Sequence, residues 1–324
     1  MEQETYLAHT ISQTSDHPAY DAACKKVLAD KQILAWILRS CTVEFQNCSI
    51  TDIAEHYIEG MPDIAATGVC PDDSGPNIHG ASHEDNTLHE GTIYYDIRFS
   101  ALAPGSHQPI PLILNIEAQN DYYPGYPLIK RAVYYGARLI SSQYGTEFQN
   151  SNYQSIKKAC SIWICTNVPK DRQNSINRYA LQEQHLAGNA TEEPLNYDLI
   201  NITMIGLSET PPPEEGNVLN LLSVLLLQKG NAAQKKQILQ NDFQIAMTTT
   251  LEQEVDHMCN LSEGIERRGI EKGIKKGIKK GRSEATETTA LEMLRDKMDM
   301  NLIMKYTKLS LEKLTELGKL HGLL

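Results

Sequence analysis

Apolar positions recur along this chain at two different periods, and the changes of period mark out its elements. Between residues 20 and 60, Val27, Leu28, Ile33, Leu34, Ile37 and Leu38 return at close to helical spacing, and Ser49 or Thr51 stands where a further helix carrying Ile53, Ala54 and Tyr57 would start. Residues 61–91 hold most of the early Pro, Gly, Asp and Asn and predict a loop. Strands are expected near 92–100 and 112–120, joined as an antiparallel hairpin by Ala103-Pro104-Gly105-Ser106. Helical spacing returns over residues 126–144, where Leu128, Ala132, Val133, Gly136, Ala137 and Ile140 form an apolar stripe with Arg131, Tyr135 and Arg138 on the opposite side. Strands follow at 158–166 and 198–207, separated by a helix around 175–185 and a loop containing Gly188-Asn189 and Pro194. The order helix, hairpin, helix, strand predicts an α/β sandwich.

Thr210-Pro211-Pro212-Pro213-Glu214-Glu215-Gly216 interrupts any helix or central strand, and the chain beyond it reads as helical. Helices are expected over 217–229, 231–246 and 250–260. A repeat with Gly264, Gly269, Gly273, Gly277 and Gly281 comes next, then two short helices around Lys308-Leu309-Ser310. Three domains are therefore expected, 1–209, 210–263 and 264–324. The longest apolar run, Leu219 to Leu227, is broken by Asn220 and Ser223 and is too short for a bilayer span, while the start MEQETYLAHTISQTS has no signal-peptide hydrophobic region. A cytoplasmic protein without a membrane partner is the expectation. The seven cysteines are odd in number and lack a Cys-x-x-Cys pair, which points to reduced thiols. A formal charge of −11 argues against indiscriminate coating of nucleic acid but leaves room for one groove lined with Lys and Arg.

Two strings place acids within strand-like runs, where an unpaired charge is expensive to bury: Tyr94-Tyr95-Asp96-Ile97-Arg98-Phe99 and Asn115-Ile116-Glu117-Ala118-Gln119. Strand alternation puts Asn115, Glu117 and Gln119 on one face and Leu114, Ile116 and Ala118 on the other. An Asp on one strand followed by Glu-x-Gln on the next resembles the core of the PD-(D/E)XK nuclease superfamily, with Gln119 where Lys is usual. The strings YYDIRF, LILNIEAQN, LIKRAVYYGARLISSQYG and KACSIWIC together resemble the bacterial recombination-promoting nuclease and transposase family. Tyr20-Asp21 with Lys25-Lys26, the stretch Met258-Cys259-Asn260-Leu261-Ser262-Glu263-Gly264 and the Gly-Ile-Glu-Lys repeats fit the same family, so the resemblance spans most of the chain.

The resemblance implies a restriction-endonuclease-like mixed sheet flanked by helices, with an all-helical C-terminal extension, acting as a metal-dependent DNA endonuclease. Asp96 and Glu117 would bind Mg²⁺, or Mn²⁺ or Ca²⁺, with the backbone carbonyl of Ala118 as a further ligand, because hard carboxylate oxygens suit such ions. Gln119 would position water without the charge that Lys brings, and Lys130 or Arg131 is placed to supply the missing cation. Glu55 is the candidate for an upstream acid, with an ordinary surface helix acid as the competing reading. Spacing alone also allows Asp96 and Glu117 to be a cross-strand ion pair with Arg98 or Lys130. Arg131, Tyr135 and Arg138 are the expected nucleic-acid contacts, set against a plain solvated helix face.

His79, His83 and His89, among Glu84, Asp85 and Glu90, have metal-capable side chains, but Gly80, Asn86 and nearby prolines favour a loop with surface histidines. The basic run from Glu266 to Arg282 repeats Gly and Ile every four residues, which suits close packing on a second helix; self-association and a basic tether are the two readings, the first preferred. The end segment superficially resembles a helix-turn-helix, but Glu312 and Glu316 favour a protein-interaction hairpin. An interaction protein that kept the fold but lost efficient catalysis, and an RNA nuclease, remain as alternatives to DNA cleavage.

Overall fold

The computed structural model describes residues 17–64, 84–87, 90–94, 96–105, 110–120, 122–212, 217–228 and 231–324. His79, His83, His89, most of the predicted early loop and residues 213–216 lie outside them. Helices α1 (His17–Leu28) and α2 (Lys31–Cys41) come first, α2 being capped by Asp30, whose side chain accepts from the N–H groups of Gln32 and Ile33. One short turn, α3 (Ile50–Asp52), passes into a π-helix over Ile53–Tyr57 and then into β1 (Ile58–Ile64). β2 (Glu84–Thr87), β3 (Glu90–Tyr94), β4 (Ile97–Ala103) and β5 (Ile110–Gln119) follow, then α4 (Leu128–Ser141) and β6 (Lys158–Cys165). After β7 (Ser175–Ala180), α5 (Pro194–Tyr197) and β8 (Ile200–Gly206), the chain is helical: α6 (Val218–Leu226), α7 (Ala232–Asn241), α8 (Thr249–Arg295), α9 (Met300–Thr307) and α10 (Leu311–Leu320).

Six strands form one mixed sheet in the order β1-β4-β5-β6-β8-β7, while β2 and β3 pair separately. β5, β6 and β8 run parallel, and β4 returns antiparallel beside β5 as the predicted hairpin. The two faces of β5 explain the layers. Leu112, Leu114 and Ile116 enter a large core with Val27, Leu28, Ile33, Leu34, Leu221 and Met258, whereas Ile113 meets Leu139 of α4 on the other face. Gly136 lets α4 approach β8 closely, since a side chain there would begin 2.6 Å from Ile202 Cδ1. The mixed α/β class and the flanking helices agree with the sequence.

The chain divides into two compact units, Met1–Leu261 and Ser262–Leu324. The proline segment after residue 210 is therefore not where the core ends. α6 is apolar around most of its circumference, and it enters the same core as α1 and α2. Polar contacts add to this: Tyr20 donates to the Leu226 carbonyl (3.4 Å), Lys26 meets Glu254 (3.3 Å), and Gln32 both donates to and accepts from the backbone of Ala246 (3.2 and 2.7 Å). In the second unit, Ala290, Leu294, Ile303 and Leu314 make a small core. The two predicted terminal helices are present, divided by Lys308 at φ +58° and a Ser310 cap.

Three further expectations are corrected. Residues 175–180 are an edge strand rather than a helix: Asn174 turns the chain at φ +53°, and Ile176 and Arg178 then pair with Ile205 and Thr203, so completing the sheet outweighs local helical preference. The string Tyr94 to Phe99 is not one strand, because β3 pairs with β2 and β4 with β5, leaving Asp96 in a bend between them. The predicted helix at 250–260 continues through the glycine repeat to Arg295. Among the described residues nothing packs within 4 Å of a side chain begun at Gly273, Gly277 or Gly281, and Ile270, Ile274 and Ile278 stay more than half exposed.

Burial pushes the thiols of Cys24, Cys41, Cys160 and Cys165 up to about 12, which makes them inert core groups. Among the described residues no helix is long and apolar enough to cross a membrane. At the end of β8, a side chain on Gly206 would collide with the main-chain carbonyl oxygen of Arg172. Gly206→Ala should therefore destabilise the protein by about 1–3 kcal/mol, read as a lower urea midpoint at unchanged slope. A midpoint equal to the wild type would contradict this close approach.

Candidate functional site

Alternation along β5 turns Asn115, Glu117 and Gln119 to the α4 side of the sheet, where the parallel register sets them beside Ser161, Trp163 and Cys165 of β6. They sit toward the carboxyl ends of parallel strands, the place where open α/β sheets ordinarily present ligands. Asp96 arrives at the same end from the bend before β4, because Ile97 is paired with Ile116. Its N–H donates to Glu117 Oε1 at 3.2 Å, and its own Oδ2 accepts from the Ala118 N–H at 3.0 Å. Asn115 Nδ2 donates to Glu117 Oε1 at 3.0 Å, while Asn115 Oδ1 is buried with no hydrogen-bond partner among the described residues.

A cation reaches this pair from the opposite helical layer. Lys25 of α1 places Nζ 2.7 Å from Asp96 Oδ1 and 2.6 Å from Asp21 Oδ2, with the lysine only 4% exposed. Burial works against its charge, but Asp96 and Asp21 outweigh that and hold the ammonium above its ordinary range. Burial, reinforced by the neighbouring charge of Asp96, pushes the Glu117 carboxyl well up; its hydrogen bonds and the more remote Arg131 oppose this rise. Burial also raises Asp96 against the pull of Lys25.

Arg131, on α4, stacks against two rings. Its guanidinium carbon lies 5.0 Å from the Tyr135 ring centre and 5.4 Å from that of Trp163, and Nη2 donates to the Tyr135 hydroxyl at 2.9 Å. Trp163 is tied in turn to Ser161, donating from Nε1 to Oγ at 2.8 Å. Arg131 and Tyr135 thus stand together on α4, with the Arg131 charge within electrostatic reach of Glu117. Arg138 does not join them: it is 2% exposed, on the packed side of α4, while Val133 and Ala137 face outward. The apolar stripe lies along Leu128, Ala132, Gly136 and Leu139, which carries Arg138 inward with it.

Gln119 is half-buried at the end of β5, and Lys130 is exposed. Glu55 lines a groove of about 830 Å³ with Lys31, Trp36, Arg39 and Phe243, and the upstream acid that comes to Asp96 is Asp21. Ala118 joins the site through its N–H. Lys25 and Asp21 are the charged pair at this strand end that residue spacing alone overlooked. The available signal was an acid and a lysine at i, i+4, with the lysine flanked by Ala23, Cys24, Val27 and Leu28, all buried.

The donor chemistry fits a hard divalent cation. Asp96 and Glu117 bring two carboxylates to the same strand end, and Mg²⁺ commonly takes only one or two protein carboxylates, completing its shell with water and phosphate. Among the described residues no third His, Cys, Asp or Glu gathers with them as a metal cluster. No family model, curated protein or solved structure matches the chain.

A carboxyl raised in the fold favours the folded state fully below its ordinary value near 4.5, and that contribution is lost as pH climbs through the raised value. Glu117→Gln keeps an oxygen to accept both hydrogen bonds and removes the charge. In EDTA it should melt above the wild type at pH 8, with the gap closing by pH 4. A gap independent of pH in paired melting curves would contradict the raised Glu117.

Proposed function

We propose that this chain is a metal-dependent DNA endonuclease with a restriction-endonuclease-like core, hydrolysing phosphodiester bonds. The observation that carries the reading is the meeting of Asp96 and Glu117, 21 residues apart, through Asp96 N–H to Glu117 Oε1 at the carboxyl end of parallel strands. The resemblance to the PD-(D/E)XK nucleases and to the recombination-promoting nuclease and transposase family supports it and extends it to recombination or mobile-element biology.

Asp96 and Glu117 would hold Mg²⁺ or Mn²⁺, which when bound supplies Lewis acidity toward phosphate and an activated water. Asn115 keeps the Glu117 carboxylate oriented, and Ala118 N–H does the same for Asp96. Gln119 has an amide that hydrogen-bonds water. Arg131, pre-set against Tyr135 and Trp163, presents a planar donor fork suited to a backbone phosphate. The buried thiols of Cys24, Cys41, Cys160 and Cys165, none of them in a disulfide, accord with work in the cytoplasm beside DNA.

Supercoiled plasmid incubated with Mg²⁺, Mn²⁺, Ca²⁺ or EDTA tests the activity. Nicking should require Mg²⁺ or Mn²⁺ and fall by about 100-fold or more in a folded Glu117→Ala protein. No cleavage by folded wild type under any metal condition would turn the reading to the interaction protein that kept this fold. Arg131→Ala should weaken duplex binding across unrelated sequences and flatten the slope of log K against log salt by about one. An unchanged slope would remove Arg131 from the phosphate contacts.

A further inference from the structure

Burying a lysine among apolar helix residues is costly unless its charge is used, and Lys25 is held with its charge intact between two carboxylates. Its neighbours Cys24 and Val27 belong to the main core, so the side chain passes along the edge of that core to reach the end of β5. Its reach ends on Asp96, the residue that also receives the Ala118 N–H and donates to Glu117. The third position of the Glu-x-Gln string, by contrast, carries no charge: Gln119 is an amide. The site thus has one acid on β5 and one in the bend before β4, and an ammonium that reaches Asp96 from a helix packed against the opposite face.

We propose that Lys25 is the charge-stabilising group of this site, supplying from α1 the positive charge that Gln119 lacks. The inference rests on the nuclease reading and names a residue that the reading itself does not require. In hydrolysis a water oxygen bonds to phosphorus as the bond to the leaving oxygen breaks, and negative charge builds on the phosphate oxygens. An ammonium fixed beside Asp96 offsets that charge without transferring a proton. Asp21 has a positioning part: it grips the ammonium from the other side and keeps it at the sheet end.

Four proteins decide the matter: wild type, Lys25→Met, Gln119→Lys and the double variant. Each is checked by melting curve, by duplex affinity in Ca²⁺ and by plasmid nicking in Mg²⁺. The expected result is that Lys25→Met binds duplex within about twofold of wild type yet nicks about 100-fold more slowly, and that adding Gln119→Lys recovers at least about tenfold of the loss. Recovery by a lysine from β5 separates a need for charge from a need for packing at position 25. Should Lys25→Met fail to fold, Lys25→Gln, which keeps a hydrogen-bond donor without charge, is read in the same way. Wild-type nicking by a folded Lys25→Met overturns the inference and leaves the nuclease reading standing. So does a loss of rate that Gln119→Lys does not repair. A folded wild type that nicks in no metal condition, or nicks equally well in EDTA, overturns both.

Discussion

A carboxylate taken out of water must find donors or positive charge nearby, and this fold withdraws two of them at one end of its sheet. Glu117 is given the Asp96 N–H and the Asn115 amide, while Asp96 is given the Ala118 N–H and the ammonium of Lys25. Much of the architecture follows from that demand. β4 must begin just after Asp96, so that the bend before it can turn a backbone N–H toward β5. α1 must lie with Lys25 directed to the strand ends, although the rest of its buried surface belongs to the core on the other face of the sheet.

The central strand reconciles these needs through its two faces. One is wholly apolar and joins the helices of both the early and late chain. The other starts apolar at Ile113, where Leu139 covers it, and becomes polar toward Glu117. The Arg131, Tyr135 and Trp163 stack stands over this polar end, so α4 both seals the sheet and supplies a cation near the acids. A single helix does both because its buried stripe is narrow and leaves Arg131 only partly covered.

Strong local patterns were legible in the sequence: the β4–β5 hairpin, α4, the β6 and β8 strands and the terminal helix pair. Glu117 and Gln119 were placed on one face by strand alternation alone. What escaped depended on partners distant in the chain. β7 is a strand because β8 offers an open edge, which no local propensity encodes. Arg138 is buried because the packed stripe of α4 is set by Gly136 against β8 rather than by the largest apolar residues, leaving Val133 outside. Lys25 was visible only as part of a resemblance, since spacing shows its i, i+4 partner Asp21 and gives no sign of Asp96. The proline segment breaks helices and strands without saying where the next helix docks, and α6 beyond it enters the same core as α1 and α2.

The grip of the late helices on α1 and α2 has a consequence for a chain made from its N-terminus onward. Tyr20, Lys26 and Gln32 find Leu226, Glu254 and Ala246 only after nearly the whole first unit has been synthesised. The acids of β5 emerge far earlier, and α1 earlier still, but the share of the common core that α6 and the start of α8 contribute arrives last. A ribosome-bound or prematurely terminated chain therefore carries Asp21, Lys25, Asp96 and Glu117 while the core around α1 is still incomplete. Closure of the core around the first helices is thus tied to completion of the unit, so that the earliest helices of the chain wait on the latest ones for their final contacts.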